Sequence, residues 1–310
     1  MKRHLSSDAG FSLTELLVSM ILVLIVFSGV VTALNKLASS QRSIWNRTEM
    51  HSGVRGATEL LQQEVGQAGR ISLPAPVTLQ SNTDTMASQN PVVLTVTLSS
   101  TEGMFIGEHL VIDTGDKIET VVVTALDNTA HTITGAFAPL LTHASGAVVL
   151  AQGGFATGIV APGTTNGSTA SLLKLYGDIN ADGTMVYVEY TCDTVSGNLY
   201  RNVMPWNATS KPAVTAAQIL LANIVANPGG TPCFTYQTAV VETNTYVLDV
   251  AITLTVRTQL VDPITKLFQT ETKALLNVAP RNILNTWQLA SIGLTNRIQP
   301  MPPSIATLLQ

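Results

Sequence analysis

Residues 178–189 read Asp178-Ile179-Asn180-Ala181-Asp182-Gly183-Thr184-Met185-Val186-Tyr187-Val188-Glu189. They fit the spacing D-x-[DN]-x-[DN]-G-x5-E, in which hard oxygens surround a cation. Asp178, Asn180 and Asp182 would supply side-chain oxygens, Thr184 a carbonyl and Glu189 a bidentate carboxylate, with Gly183 making the sharp turn. That donor set suits Ca²⁺ rather than zinc. The alternative is an Asx-rich hairpin turn that closes without an ion, because residues 185–190 read as a strand and not as the second helix of a calcium-binding hand. His109, His131 and His143 share no ligand spacing and are expected as turn and surface residues. No G-x-S-x-G, H-E-x-x-H, P-loop or dinucleotide fingerprint occurs, so the chain is not expected to be an enzyme. One further residue stands out. Glu15 opens a long apolar run, where a carboxylate costs on the order of 3 kcal/mol and is usually kept for a partner.

The elements that must position these groups follow from composition and periodicity. Of 310 residues, 12% are charged and the net charge is −4, against roughly 25% charged in an ordinary soluble domain. No excess of Lys and Arg is available for phosphates, so nucleic acid is not an expected partner. Two cysteines cannot make a disulfide-dense scaffold or a four-cysteine zinc site.

Residues 16–34 carry no charge. As a helix they span roughly 28 Å, close to the ~30 Å hydrocarbon core of a bilayer. Lys2 and Arg3 precede them, which puts the N-terminus in the cytoplasm and the rest outside. Outside the cytoplasm disulfides persist. Cys192 and Cys233 are therefore predicted to be bonded, the alternative being two reduced buried thiols. Beyond residue 34, Leu37, Ile44, Trp45, Val54, Leu60, Leu61, Val65 and Ala68 recur mostly at three-, four- and seven-residue spacing, which extends the helix as an amphipathic one. Gly69 and Pro74 end it.

The run Gly10-Phe11-Ser12-Leu13-Thr14-Glu15-Leu16-Leu17-Val18, behind a short basic leader, resembles the class III signal of type IV prepilins. The resemblance covers the leader, the junction and the whole apolar segment. It implies cleavage after Gly10 by a prepilin peptidase and N-methylation of the new terminus at Phe11. It also implies that Glu15 pairs with the terminal ammonium of a neighbouring subunit as helices assemble into a filament core. The helix-kinking proline of many major pilins is missing, with Thr32 nearby instead, which points away from a major pilin. Residues 59–69 and the phrase Ala279-Pro280-Arg281-Asn282 resemble corresponding parts of PilW-like minor pilins.

After residue 72 the chain turns to Thr, Val, Ala and Gly with frequent turns. Strands are predicted at 92–98, 109–113, 119–125, 131–134 and 147–151, then at 172–176, 185–190, 198–203, 233–237, 247–259 and 270–277. The expected class is α+β: a long N-terminal transmembrane and amphipathic helix packed on an antiparallel β-sheet body, as in pilins, with an inserted small β-barrel or roll. The expected organisation is a leader (1–10), a helix (11–69, with 11–34 transmembrane) and a linker (70–90). An inserted β module (91–152), a pilin-type β domain (153–280) and an irregular tail (281–310) follow. The expected function is a minor pilin or pseudopilin subunit in filament assembly, with the prepilin peptidase, other major and minor pilins and the inner membrane as partners. The rivals are a type II secretion minor pseudopilin of the J type, a pilus-tip adhesin using the inserted module, and a membrane-tethered enzyme.

Overall fold

A computed structural model describes residue 10 and residues 12–83 and 90–310. Phe11 and the leader residues before Gly10, Lys2 and Arg3 among them, lie outside the described residues. The chain divides into two compact units. One comprises residues up to 51 with Thr258–Gln269, and the other comprises Ser52–Arg257 with Thr270–Gln310. Helix α1 (Leu13–Gln67) gives residues to both.

In the first unit, every large apolar side chain of α1 from Leu13 to Leu37 is exposed. This helix is long and apolar enough to cross a membrane. The other part of the unit, residues 258–269, is a turn built around Asp262. Its Oδ1 accepts the amides of Ile264 (2.7 Å) and Thr265 (2.9 Å), and its Oδ2 accepts the Ser43 hydroxyl of α1 at 2.5 Å. The Ser43 hydroxyl first, then these amides, hold the Asp262 carboxyl down to about 2. Arg47 reaches Gln269 in the same unit.

In the second unit, strands β1 (Val77–Thr78), β2 (Val92–Thr97), β3 (His109–Ile112), β4 (Glu119–Val122), β5 (Ala125–Asp127), β6 (Thr132–Phe137) and β7 (Val148–Ala151) form an antiparallel module. They make a four-stranded sheet, β1-β7-β3-β4, and a three-stranded one, β2-β6-β5. One core of Val77, Leu79, Val96, Leu110, Ile112, Val121, Ile133, Phe137 and Val149 lies between them. Residues expected as a linker therefore belong to this module, because Val77 pairs with Val149 and Leu79 is fully buried.

Two ionisable groups among the described residues are buried here. His143 is a correction to the surface placement: it is buried, with Nδ1 3.1 Å from Asp113 Oδ2 and Nε2 2.5 Å from Glu119 Oε1. Glu108, at the start of β3, is fully buried; Oε2 accepts the Phe105 amide at 3.1 Å, and Oε1 has no partner. Burial pushes the Glu108 carboxyl up to about 8. Above its unfolded value of about 4.5 the unfolded chain releases this proton while the folded chain keeps it, so stability falls as pH rises from about 4.5 to about 8. Glu108→Gln is expected to remove that slope, so its stability relative to the wild type rises by up to about 4 kcal/mol between pH 4.5 and pH 8. Thermal melts of the full chain in detergent across pH 5–9 check this; parallel curves for the two proteins would reject it.

The body contains β8 (Gly154–Phe155), β9 (Leu172–Gly177), β10 (Val186–Asp193), β11 (Asn198–Pro205), β12 (Ile219–Ala222), β13 (Ile224–Val225), β14 (Phe234–Val241), β15 (Asn244–Arg257) and β16 (Thr270–Val278). One antiparallel sheet runs β12-β11-β10-β9, and another runs β13-β15-β14 with β16 on the far side of β15. Asn223 (φ 60°) bends the chain between β12 and β13 and takes the Arg257 amide at 2.9 Å, so one strand passes from the first sheet to the second.

The end of α1 buries Val54, Ala57, Leu61, Val65 and Ala68, an i, i+3/i+4 stripe. A Cβ on Gly53 would meet Leu221 of β12 at 3.2 Å, which sets this stripe on the first sheet. Gly69 (φ +79°) stops the helix, donates to Tyr176 O at 2.9 Å and accepts from Phe155 N at 2.8 Å. The neighbouring backbone comes so close that a Cβ on Gly158 would stand 2.2 Å from Gly69 Cα.

The expected irregular tail is corrected. Residues 281–310 hold α2 (Arg281–Ser291), β17 (Ile298–Gln299) and α3 (Pro303–Leu308). Strand β17 pairs in parallel with β8, and α2 lies against β14 and β15. Ile305, Leu308 and Leu309 join Phe105, Phe155, Tyr176, Tyr187 and Met204 in a second core. The prolines do not prevent this, because Pro303 sits in the first turn of α3, where the missing N–H has no helical partner to lose.

The fold is thus a long N-terminal apolar helix followed by an antiparallel β body, as expected for α+β.

Candidate functional site

The N-terminal segment is built around Ser12 and Glu15. The Ser12 amide donates to Glu15 Oε2 at 3.3 Å, and the Glu15 amide donates to Ser12 Oγ at 3.2 Å. This is a reciprocal capping box, which satisfies two amides that the helix start leaves open. Glu15 therefore has a local task in the single chain. The S-x-x-E spacing at 12–15 signals it, and the sequence reasoning passed over it. Both residues are exposed, so the carboxylate remains reachable by a partner.

Gly10 lies before the helix and is exposed. Among the described residues, a Cβ there would meet nothing within 4 Å.

The proposed calcium ligands do not come together as one cage. Asp178 is fully buried. Its Oδ1 accepts the Asp182 amide at 3.0 Å, and its Oδ2 accepts Ser72 Oγ at 2.9 Å and the Gly183 amide at 3.3 Å. Arg70 Nε stands 3.5 Å from the same oxygen. Asp182 Oδ1 takes the Thr184 amide at 2.9 Å, and Asn180 points to the exposed side of the turn. Glu189 faces elsewhere: Oε1 accepts Tyr187 OH at 2.6 Å and Lys211 Nζ at 2.8 Å. The register places Glu189 directly across from Lys174 of β9, and Lys174 Nζ stands 3.7 Å from it. These residues do not fit the calcium set, because the Asp178 oxygens are filled by protein donors and the Glu189 carboxylate is held by lysines. Among the described residues no group of three or more His, Cys, Asp or Glu is arranged to hold a metal ion.

Cys192, at the end of β10, and Cys233, just before β14, form a disulfide that links the two sheets of the body. A persistent disulfide belongs to an oxidising compartment.

A further polar cluster fastens α1 to the first sheet. Glu64, almost fully buried, accepts from Arg201 Nε at 3.2 Å, from its Nη2 and from the Tyr190 hydroxyl. Burial pushes the Tyr190 phenol well up. In sequence, Glu64 looks like one more polar residue of an amphipathic helix. Only its position at 64, within the buried stripe 57-61-65-68, could have flagged it.

Residues 5–31 match the model of the prokaryotic N-terminal methylation motif. The match supports a protein of the type IV pilin or pseudopilin type, made as a precursor for a prepilin peptidase and assembled with other pilins. With the exposed apolar helix, it supports membrane anchoring before incorporation into a filament. Searches of curated proteins and of solved structures returned no match.

Proposed function

We propose that the chain is a minor pilin or pseudopilin subunit, a structural protein of a type IV pilus or a related filament. The match at residues 5–31 carries this reading. The exposed, uncharged run of α1 supports it, as does the exposed glycine at position 10. Lys2 and Arg3 keep the leader on the cytoplasmic side of the inner membrane, where the peptidase cuts between Gly10 and Phe11. The body folds outside. In the precursor Glu15 caps its own helix. After cleavage and methylation, the Phe11 ammonium of a neighbouring subunit becomes its partner, and two charges withdrawn from water offset each other's desolvation.

Intact-mass analysis of the chain produced with and without a prepilin peptidase tests this. The expected product begins at N-methylated Phe11 and appears only with the peptidase. An uncleaved chain, or cleavage beyond residue 34, overturns it.

A further inference from the structure

The turn at residues 258–269 keeps its acid inside and its apolar side chains outside, the reverse of an ordinary surface loop. Asp262 is 2% exposed and accepts the Ser43 hydroxyl of α1 and its own turn amides. Leu260, Ile264 and Leu267 stand out at 62%, 60% and 68% exposure, and Trp45 of α1, in the same unit, is 74% exposed. An open cleft of about 680 Å³ lies between the turn and the helix, lined by Ala38, Arg42, Trp45, Leu260, Val261 and Pro263 among others. Exposed apolar patches of this kind mark surfaces that another molecule covers.

Three observations say what covers this one. The first is its level on the helix. The turn is tied to α1 at Ser43 and Arg47, about 14 and 20 Å beyond the end of the uncharged run at Leu34, at about 1.5 Å per residue. The headgroup layer on each side of a bilayer is only about 5–8 Å deep. The cleft therefore stands clear of lipid, and its cover is protein. The second is continuity. Phe27, Val31, Leu34, Ala38 and Trp45, with Gln41 the one polar member, recur at alternating four- and three-residue spacing and are all exposed. This stripe carries the apolar surface of the run straight into the cleft, and its spacing is the one at which helix meets helix. The third is charge. Between Leu34 and Trp45 the helix carries Lys36 and Arg42 and no acid, and the turn adds exposed Lys266 while Asp262 is buried. The same stretch of a second helix, set level with the first, would place like charges side by side, which is unfavourable. The uncharged run of such a helix brings no positive charge, and the acid that leads it, Glu15, has the opposite sign.

We propose that the 258–269 turn and the stripe of α1 beside it are the docking surface for the uncharged run of a neighbouring pilin-type subunit's helix. Leu260, Val261, Ile264, Leu267 and Trp45 cover that run once it has left the lipid. The neighbour is staggered along the axis by about 25 Å, the distance from the middle of a run near residue 25 to the cleft near residue 42. The chain thus gives a neighbour's run the apolar cover that its own run lacks in the single chain. The inference rests on the reading of the chain as a pilin-type subunit.

Photocrosslinking in cells that assemble the filament tests the two readings separately. The full chain carries p-benzoylphenylalanine in place of Leu267 or, as a control, in place of Val195 at an exposed tip of the β body. Mass spectrometry identifies the crosslinked peptide and reads processing at Gly10 in the same sample. The probe at Leu267 is expected to join the uncharged run of a processed pilin-type subunit, and the probe at Val195 is not. A processed chain whose Leu267 probe joins lipid, joins any other segment, or crosslinks no more than the control overturns the docking surface and leaves the subunit reading standing. An unprocessed chain overturns the subunit reading and the docking surface with it. The double variant Leu260→Glu with Leu267→Glu supplies a second readout. Neither side chain is covered in the single chain, so the melting temperature and processing should match the wild type. The share of processed chain recovered in filaments is expected to fall at least about tenfold, the factor that covering one leucine contributes to an equilibrium constant. An unchanged share would overturn the proposal.

Discussion

Arg201→Met is expected to destabilise the protein by about 3 kcal/mol. Arg201 presents two nitrogens to Glu64, whose side chain is 3% exposed. Removing the guanidinium leaves a carboxylate in the interface between α1 and the first sheet, with only the Tyr190 hydroxyl as partner. Burying an unpaired carboxylate costs far more than the pair contributes over an apolar replacement. The double variant Glu64→Leu with Arg201→Met is therefore expected to recover most of the loss. Chemical denaturation of the wild type, both single variants and the double variant completes the cycle. If Arg201→Met costs under about 1 kcal/mol, the figure typical of an exposed pair, the cluster does not fasten the helix. This variant leaves the leader junction untouched, so processing by the peptidase should proceed while the folded body is lost more readily.

Replacing both cysteines by serine is expected to cost up to about 4 kcal/mol. The bond closes a loop with a sequence separation of 41 residues, and in the chain-entropy model such a loop restricts the unfolded ensemble by about that much. At about 2–4 °C per kcal/mol for a chain of this size, the melting temperature should fall by about 8–16 °C. Cys192 and Cys233 are both buried, so a mild reductant should leave the folded protein oxidised, and the bond should open only on unfolding. Mass analysis under non-reducing conditions with thiol alkylation checks the bond itself. Two alkylated cysteines in the native protein, or an unchanged melting temperature in the double serine variant, would show that the link between the sheets rests on other contacts.

The sequence carried local features well. A membrane-length run without charge, a stripe at helical spacing and a glycine stop marked α1 out as one long helix, and its C-terminal end at Gln67 lies two residues from the expected one. Most strands were legible from β-branched residues between turns, because strand formation follows the chain's own alternation. Missed elements share a cause. Residues 303–308 hide behind four prolines and are fixed by burial of Ile305 and Leu308 among residues far away in sequence. Strand β1 is two residues long and exists only because β7 lies beside it.

The candidate site divides in the same way. The methylation-motif match falls on one continuous stretch, residues 5–31, so its information is one-dimensional. The D-x-N-x-D-G pattern was equally visible, but its meaning depended on where each oxygen points. Strand pairing put Glu189 opposite Lys174, and the turn spent the Asp178 oxygens on its own amides and on Ser72 and Arg70. His143 and Glu64 likewise gained their partners from segments 24 to 137 residues away. The sequence by itself determined the methylation motif, the membrane-length apolar run, the cysteine pair and the class of fold, since each depends on neighbouring residues or simple periodicity. Tertiary structure alone decided which buried charges meet and which way the 258–269 turn faces, because an ion pair or an exposed face depends on the packing of distant elements.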